Sequence, residues 1–451
     1  MKKKVVSALL CATMVATMFA GCGSKESDNN ASTPDTSKAD TSSEVSEPAE
    51  DTGKVLNIYC WNEEFKSRIT AHYPDYQEVD ATHGKIGDVD VVWNITPNDD
   101  NAYQNNLDAT LLNQADAPAD DKIDLFLVEA DYALKYVDTD YTMPIKDLGI
   151  TDDDLSKQYQ YTKDIVTDSN GVLKGLSWQG CPGVLFYNRD AAKEVLGTDD
   201  PDKVQESVKD WDTYNDTAKK MKDAGYKMTA SANDTYRVYS NNVTSKWVDG
   251  NKISIDDNIM KWVDDSKAQV DAGETGTCDL WSDDWSKGFY PQGKVFCYFG
   301  PAWLVNFSMA ADTEGSIGYN GGWGAAQGPQ GFFWGGTWIC AAQGTDNANL
   351  VKDIMLKMTT DDDIMKDIVV DDDDFVNNST VMNGMADGSI KVKDNKEYSS
   401  KILGGQNPLP MYCAGVETLD LSNLSSYDQG CNEEFQNAMK NYFEGKATKD
   451  E

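Results

Sequence analysis

Histidine is almost missing from this chain: His72 and His83 are the only two among 451 residues. A metal or catalytic centre built on several imidazoles has no material to draw on. Basic residues are also scarce. Forty Lys and Arg stand against 76 Asp and Glu, for a formal charge of −36. A surface this negative repels phosphate backbones and anionic headgroups, which excludes sequence-independent nucleic-acid binding and electrostatic attraction to membranes. No CxxC pair occurs. The seven cysteines after Cys22 (Cys60, Cys181, Cys278, Cys297, Cys340, Cys413 and Cys431) are odd in number and scattered. They therefore read as mostly buried free thiols and not as a zinc or redox site, with a Cys413–Cys431 bridge left open. The chain also lacks a G-x-S-x-G elbow, a P-loop, a G-x-G-x-x-G turn and an H-E-x-x-H helix. Past the first twenty or so residues, no apolar run reaches the ~20 residues needed to cross a bilayer.

What is present begins with an address. Met1-Lys2-Lys3-Lys4 is a basic start, Val5 to Phe19 is apolar, and the small residues Ala20 and Gly21 precede Cys22. This is the pattern of an export signal over residues 1–21. One reading makes Cys22 the acylated first residue of a lipid-anchored protein; the other is an ordinary cleaved leader. Residues 22–53 are mostly Ser, Thr, Asp, Glu, Ala and Pro, with no aromatic residue. They cannot bury enough apolar surface to fold, so a disordered acidic tether is expected.

From Lys54 the pattern changes. Val55–Tyr59, Val89–Trp93 and Asp124–Val128 are short apolar strand candidates, each followed by a helical stretch (62–73, 101–115 and from Tyr132). That alternation predicts a mainly parallel sheet covered by helices. Ligands of such sheets sit beyond the carboxyl ends of the strands, which points to Trp61-Asn62-Glu63 and to Glu129-Ala130-Asp131. A second αβ region follows. Gly183–Tyr187 and Lys294–Phe299 are strands, and a helix capped by Asp212 runs to Ala224. The spacing also predicts helices over 350–359 and 432–444. Asp371–Asp374 lacks the glycine and alternation of a calcium loop and reads as a solvated turn.

The informative composition is aromatic, with 12 Trp and 21 Tyr. Trp61, Trp178, Trp285, Trp303, Trp323, Trp334 and Trp338 fall where strands give way to loops, and several neighbour Asp, Glu, Asn or Gln. Indole stacks on the C–H face of a sugar ring, while carboxylates and amides satisfy its hydroxyl rim. Any one of these Trp could equally fill a core; the set, beside polar partners, favours binding. Catalysis is not signalled. A glycosidase needs two carboxylates at a defined separation, and among 76 acids any pair can be nominated.

Four segments carry a resemblance: Asp124-Leu-Phe-Leu-Val-Glu-Ala-Asp131, Gly175-Leu-Ser-Trp178, Leu185-Phe-Tyr-Asn-Arg-Asp190, and Gly293-Lys-Val-Phe with Phe299-Gly-Pro-Ala-Trp303. Through them the chain resembles the extracellular solute-binding proteins, family 1, of bacterial carbohydrate ABC importers, the maltodextrin-binding type. The resemblance implies an α/β, two-lobed, periplasmic-binding-protein-like fold of class II type, with mixed sheets flanked by helices and a ligand cleft at the hinge. It implies lobe one over 54–178 plus 335–370, lobe two over 183–322 plus 371–451, and hinge crossings at 179–182 and 323–334. It further implies a monomeric, non-enzymatic receptor on the outer face of the cell membrane. That receptor would be held only by a lipid on Cys22, need no cofactor or metal, and hand a carbohydrate, an oligosaccharide given the many Trp, to ABC permease subunits. Carried over by position, Asp131 takes sugar hydroxyls from lobe one, Asp234 and Tyr236 reach from lobe two, and Trp303 and Trp334 stack. Trp61, Glu63, Glu129, Trp178 and Trp285 join them by position alone. The competing expectation is a secreted lipoprotein glycoside hydrolase.

Overall fold

The structure is a computed structural model that describes residue 48 and residues 50–451. The leader, Cys22 and most of the expected tether lie outside the described residues. The end of that tether is not free. The Asp51 carboxylate accepts the amides of Asn349 and Leu350 at 2.8 and 2.9 Å. The amides of Thr52 and Gly53 both donate to the Asp346 carbonyl at 3.0 Å. An acid here satisfies amides in the first turn of a helix that have no partner within it.

Strand β1 (Val55–Cys60) leads into helix α1 (Glu64–His72), whose first amide is accepted by Asn62 Oδ1 at 3.0 Å. Strands β2 (Tyr76–Glu78), β3 (His83–Ile86) and β4 (Val89–Ile95) form an antiparallel meander. Neither β2 nor β3 was expected, because each buries too few side chains to leave an apolar signature. After α2 (Ala102–Leu111), strand β5 (Leu125–Glu129) and α3 (Ala133–Val137), β1 lies parallel between β4 and β5, pairing Leu56 with Val91 and Ile58 with Leu125. The chain then forms β6 (Leu176–Ser177) and crosses to a second sheet. That sheet is built on β7 (Pro182–Asn188), whose seven residues are all buried. Helices α4 (Arg189–Leu196), α5 (Trp211–Asp223), α6 (Tyr236–Ser240) and α7 (Asp257–Ala272) follow. Strands β8 (Cys297–Gly300), β9 (Trp323–Ala326) and β10 (Phe332–Phe333) all pair antiparallel with β7. Strand β11 (Thr337–Ala341) returns to the first sheet and completes the order β2-β3-β4-β1-β5-β11-β6. Helices α8 (Ala348–Thr360) and α9 (Asp362–Asp372) come next. The last are α10 (Ser379–Ala386), α11 (Leu409–Val416) and α12 (Asp428–Phe443).

The chain passes between the sheets at 178–181 and 334–336, and a third passage, 373–378, leads from α9, packed on α1, to α10 and α11, which packs on β7. The passages run side by side. Gly180 N donates to Phe375 O at 2.9 Å, Asn377 N to Trp178 O at 2.7 Å, and Trp334 N to Cys181 O at 3.3 Å.

Several expectations are corrected. Trp323–Ala326, expected within a crossing, are strand β9 of the smaller sheet. Helix α5 is capped by Asp210, not Asp212. Asp210 Oδ1 accepts Thr213 N at 2.7 Å while its own amide donates to Thr213 Oγ1 at 3.2 Å. Trp211, which stacks on Tyr239 with ring centroids 4.3 Å apart, is the first residue of the helix. Asp371–Asp374 is not a solvated turn. Asp372 accepts Arg68 Nη1 at 2.7 Å and lies 3.2 Å from His72 Nε2, and Asp374 is only 1 % exposed. A run of acids is tolerated there because buried donors surround it. All seven described cysteines are free, Cys413 and Cys431 included.

Candidate functional site

A cleft of about 410 Å³ opens where the two sheets face each other. One wall comes from the carboxyl ends of β1 and β5, where parallel strands expose unpaired backbone and turn into loops. It carries Trp61, Asn62, Glu64, Glu129 and Asp131. The floor is Gln179 and the glycine turn Trp334–Thr337. Gly335 has φ +67, and a Cβ there would meet Trp303 Cζ2 at 3.3 Å and Glu129 Oε1 at 3.5 Å. The glycine thus lets backbone, indole and carboxyl converge.

The opposite wall is aromatic. Trp303 follows the Gly300-Pro301 turn and packs with Trp281 (centroids 6.2 Å, planes 29° apart) and Trp334 (5.5 Å, 67°). Trp281 is 52 % exposed and Phe307 54 %. Trp281 also has φ +68, a left-handed conformation that bulky side chains rarely adopt. Across the cleft, Trp61 rests edge-on against Tyr103 and Tyr132 at 5.7 and 6.2 Å.

The charged groups are mostly committed. Asp131 holds Arg237 of α6 in a two-pronged ion pair, with Nη1–Oδ1 at 2.7 Å and Nη2 against Oδ2. Glu129 Oε2 accepts the Asp131 amide at 2.8 Å. Burial first, and then the neighbouring Asp131 carboxylate, raise the Glu129 carboxyl above its usual range. Burial pushes Glu64 up to about 7, against the lowering influence of Arg68. Carboxyls raised in this way keep a substantial protonated fraction near neutrality, and a protonated carboxyl both donates and accepts hydrogen bonds.

Of the residues singled out from sequence, the cleft collects Trp61, Glu129, Asp131, Tyr236, Trp303 and Trp334. Tyr236 offers only its ring, because its hydroxyl donates to Asn432 Oδ1 at 2.5 Å. Four others lie elsewhere. Trp178 is fully buried, stacked on Phe65 at 5.3 Å. Trp285 is 1 % exposed and donates its indole N–H to Asp234 Oδ1 at 2.8 Å, so these two form an internal pair behind the wall. Glu63 faces solvent, and Glu64, one residue on, turns inward. The helix begins at Glu64, and the ~100° rotation per residue within it separates the two side chains. The sequence reading missed Glu64, Gln179, Arg237, Trp281 and Phe307. For Trp281 a signal existed, the pair Trp281 and Trp285 flanking Asp283-Asp284. Gln179 fell in the crossing expected at 179–182, but nothing marked its side chain as part of the cleft.

A family model for bacterial extracellular solute-binding proteins matches residues 81–398. No curated protein matches the chain. Among solved structures, an extracellular solute-binding protein of family 1 is similar at 17 % identity and TM-score 0.67, covering 87 % of this chain and 95 % of its own. An ABC-transporter-associated binding protein from B. animalis subsp. lactis, solved with β-1,6-galactobiose, is 19 % identical at TM-score 0.62, covering 88 % and 94 %. The GacH receptor of Streptomyces glaucescens, solved unliganded and with acarbose, is 14 % identical at TM-score 0.63, covering 88 % and 95 %. At these identities the likeness is one of fold: two α/β lobes around a cleft, as the sequence resemblance implied.

Proposed function

Because the chain belongs to the bacterial extracellular solute-binding proteins, we propose that its cleft takes a neutral oligosaccharide and that the protein presents it to the permease of an ABC importer. One observation carries this reading: an indole wall (Trp281, Trp303, Trp334) faces a wall of acids and amides (Asn62, Glu64, Glu129) across the cleft of about 410 Å³. A pyranose ring needs both, an apolar plane for its C–H face and polar groups for its rim. Among the described residues, the one cationic side chain lining the cleft, Arg237, is already taken by Asp131, so little attraction remains for an anionic ligand. Raised carboxyls at Glu64 and Glu129 suit hydroxyls, which exchange donor and acceptor roles. The solved neighbours that carry galactobiose and acarbose support the ligand class.

In this reading Trp61, Trp303 and Trp334 stack, Glu64 and Glu129 bind hydroxyls, and Asp131 with Arg237 bridges the lobes. Lobe one comprises the larger sheet and lobe two the smaller. Acylated Cys22 and the acidic segment after it hold the receptor at the outer membrane face, where it binds and releases sugar unchanged. The test is titration calorimetry of the purified protein against a broad glycan panel, with reducing ends assayed in parallel. Binding at micromolar or tighter affinity without new reducing ends is the expected result. New reducing ends would instead make it a hydrolase, and a panel with no binder would remove carbohydrate as the ligand.

A further inference from the structure

The side chain of Gln179 reaches all three passages between the lobes and the cleft at once. It sits in the first passage and is only 1 % exposed, yet it lines the cleft floor. Its amide is fully used. Nε2 donates to Glu64 Oε1 at 2.8 Å and to Asp374 Oδ2 at 3.0 Å. Oε1 accepts the Thr337 amide at 3.1 Å. Glu64 lies on the cleft wall, Thr337 closes the second passage, and Asp374 lies in the third. The backbone follows the same pattern, since Gln179 pairs with Val376 in an isolated antiparallel bridge.

The chemistry of this position is narrow. Its neighbours are two buried carboxyls and one backbone N–H, so the side chain must donate twice and accept once. Only a carboxamide does this, and only glutamine has the reach. A carboxylate would place a third acid against Glu64 and Asp374. A methionine would fill the space and leave all three partners without a bond, in a region where unpaired polar groups are costly.

We infer that Gln179 is a positioning residue that makes the three passages bend as a single hinge and couples that hinge to the cleft through Glu64. A ligand that engages Glu64 then acts directly on the group that keeps the passages in register. Closure is shared across the three passages because one amide is common to them. Only the sugar arm of the test rests on the carbohydrate reading above.

The test is amide hydrogen exchange, followed by mass spectrometry, on the ligand-free protein and its Gln179→Met variant. Peptides covering 178–182, 334–337 and 373–378 are expected to exchange at least tenfold faster in the variant, all three together, while the centres of β1 and β7 change by less than twofold. Acceleration confined to 178–182 would overturn the inference, and so would uniform acceleration of the whole chain. If Gln179→Met does not fold, Gln179→Asn keeps the amide but loses the reach, and should show the same three-segment pattern more weakly. Gln179→Glu should also open all three segments, and the exchanged pair Glu64→Gln with Gln179→Glu should restore part of the protection, because the donor and acceptor are then reversed. A purely space-filling role predicts no such rescue. In the sugar arm, whichever of maltose, β-1,6-galactobiose and lacto-N-biose the parent binds should bind Gln179→Met at least tenfold more weakly. Failure of all three to bind the parent would count against the ligand class, and the exchange arm would still decide the hinge.

Discussion

The two walls of the cleft are made by different means. On the larger-sheet side, side chains emerge at the ends of regular parallel strands, and the wall they make is polar, with Glu64, Glu129 and Asp131 around a single indole, Trp61. On the smaller-sheet side, side chains emerge from turns and from the short π-helical segment Leu304–Ser308, an irregular winding, and the wall is aromatic. Trp281 and Phe307 are more than half exposed there, in a protein that buries Trp178, Trp285 and Trp338 almost completely. Large aromatic residues left in water beside a concavity mark a surface shaped for something else to cover. Regular structure therefore places the charges, and irregular structure places the planes.

The sharpest way to break this division is to remove an indole that belongs to neither wall. Trp178 is in the core behind the larger-sheet wall, stacked on Phe65, and its indole nitrogen has no hydrogen-bond partner. Its removal therefore costs packing and no polar contact. Trp178→Ala should destabilise the fold by about 3–5 kcal/mol, as large aromatic truncations in cores do, measured by urea melts of the ligand-free protein. Trp285→Ala should behave alike and also leave Asp234 short of a donor. Unchanged melting in either variant, with sugar affinity lost, would return that residue to the binding surface and erase the distinction between wall and core.

A second prediction sharpens the polar wall. Burial raises the Glu64 carboxyl from an ordinary 4.5 to about 7. Between these values the folded protein keeps a proton that the unfolded chain has released. Stability from this group is then fully present below about pH 4.5 and is lost as pH rises toward 7. A gap of this size corresponds to about 3 kcal/mol at ~1.36 kcal/mol per unit. Glu64→Gln should flatten that part of the stability profile, measured by melts from pH 4 to 8. Asp124 and Asp234, raised by burial to about 6 and about 7, slope the same way and remain in the variant. The readout is thus the difference in slope between parent and variant. Identical slopes would mean that Glu64 is ionised throughout and that its wall presents a charge.

The strand-and-helix alternation made the larger sheet's parallel centre legible, and with it the position of the cleft. The rule that ligands lie beyond strand ends located Trp61, Glu129 and Asp131 without reference to any relative. It located Glu63 in place of Glu64, because one residue at a helix start decides which face a side chain takes, and hydropathy does not resolve that. Trp178 and Trp285 were misread for a different reason. An indole beside polar residues looks the same in sequence whether it faces a ligand or turns inward, and the bond that holds Trp285 inside goes to Asp234, far away in the chain. The third passage was invisible, and so were the contacts of Gln179, although residue 179 fell in an expected crossing. Their significance lies in contacts between residues 64, 179, 337 and 374, and no local pattern records a contact over such separations.

The smallest effect tests the aromatic wall itself. Trp303 is partly buried, and its indole N–H reaches weakly held acceptors, the Trp334 carbonyl at 3.4 Å and the Cys181 sulfur. Its rings lean on Trp281 and Trp334, which keep each other in place at 5.7 Å without it. Truncation therefore leaves no buried polar group stranded, and the space it vacates opens onto the cleft, where water can enter. Trp303→Ala should weaken sugar affinity at least tenfold, ~1.4 kcal/mol, by calorimetry, with the melting temperature of the empty protein nearly unchanged. The ratio of the two losses carries the information. Trp178→Ala should lose stability first and affinity only through it, whereas Trp303→Ala should lose affinity alone. Equal losses at Trp303 would show that the aromatic wall is core exposed by accident of the cleft, and that the saccharide meets the acids without it.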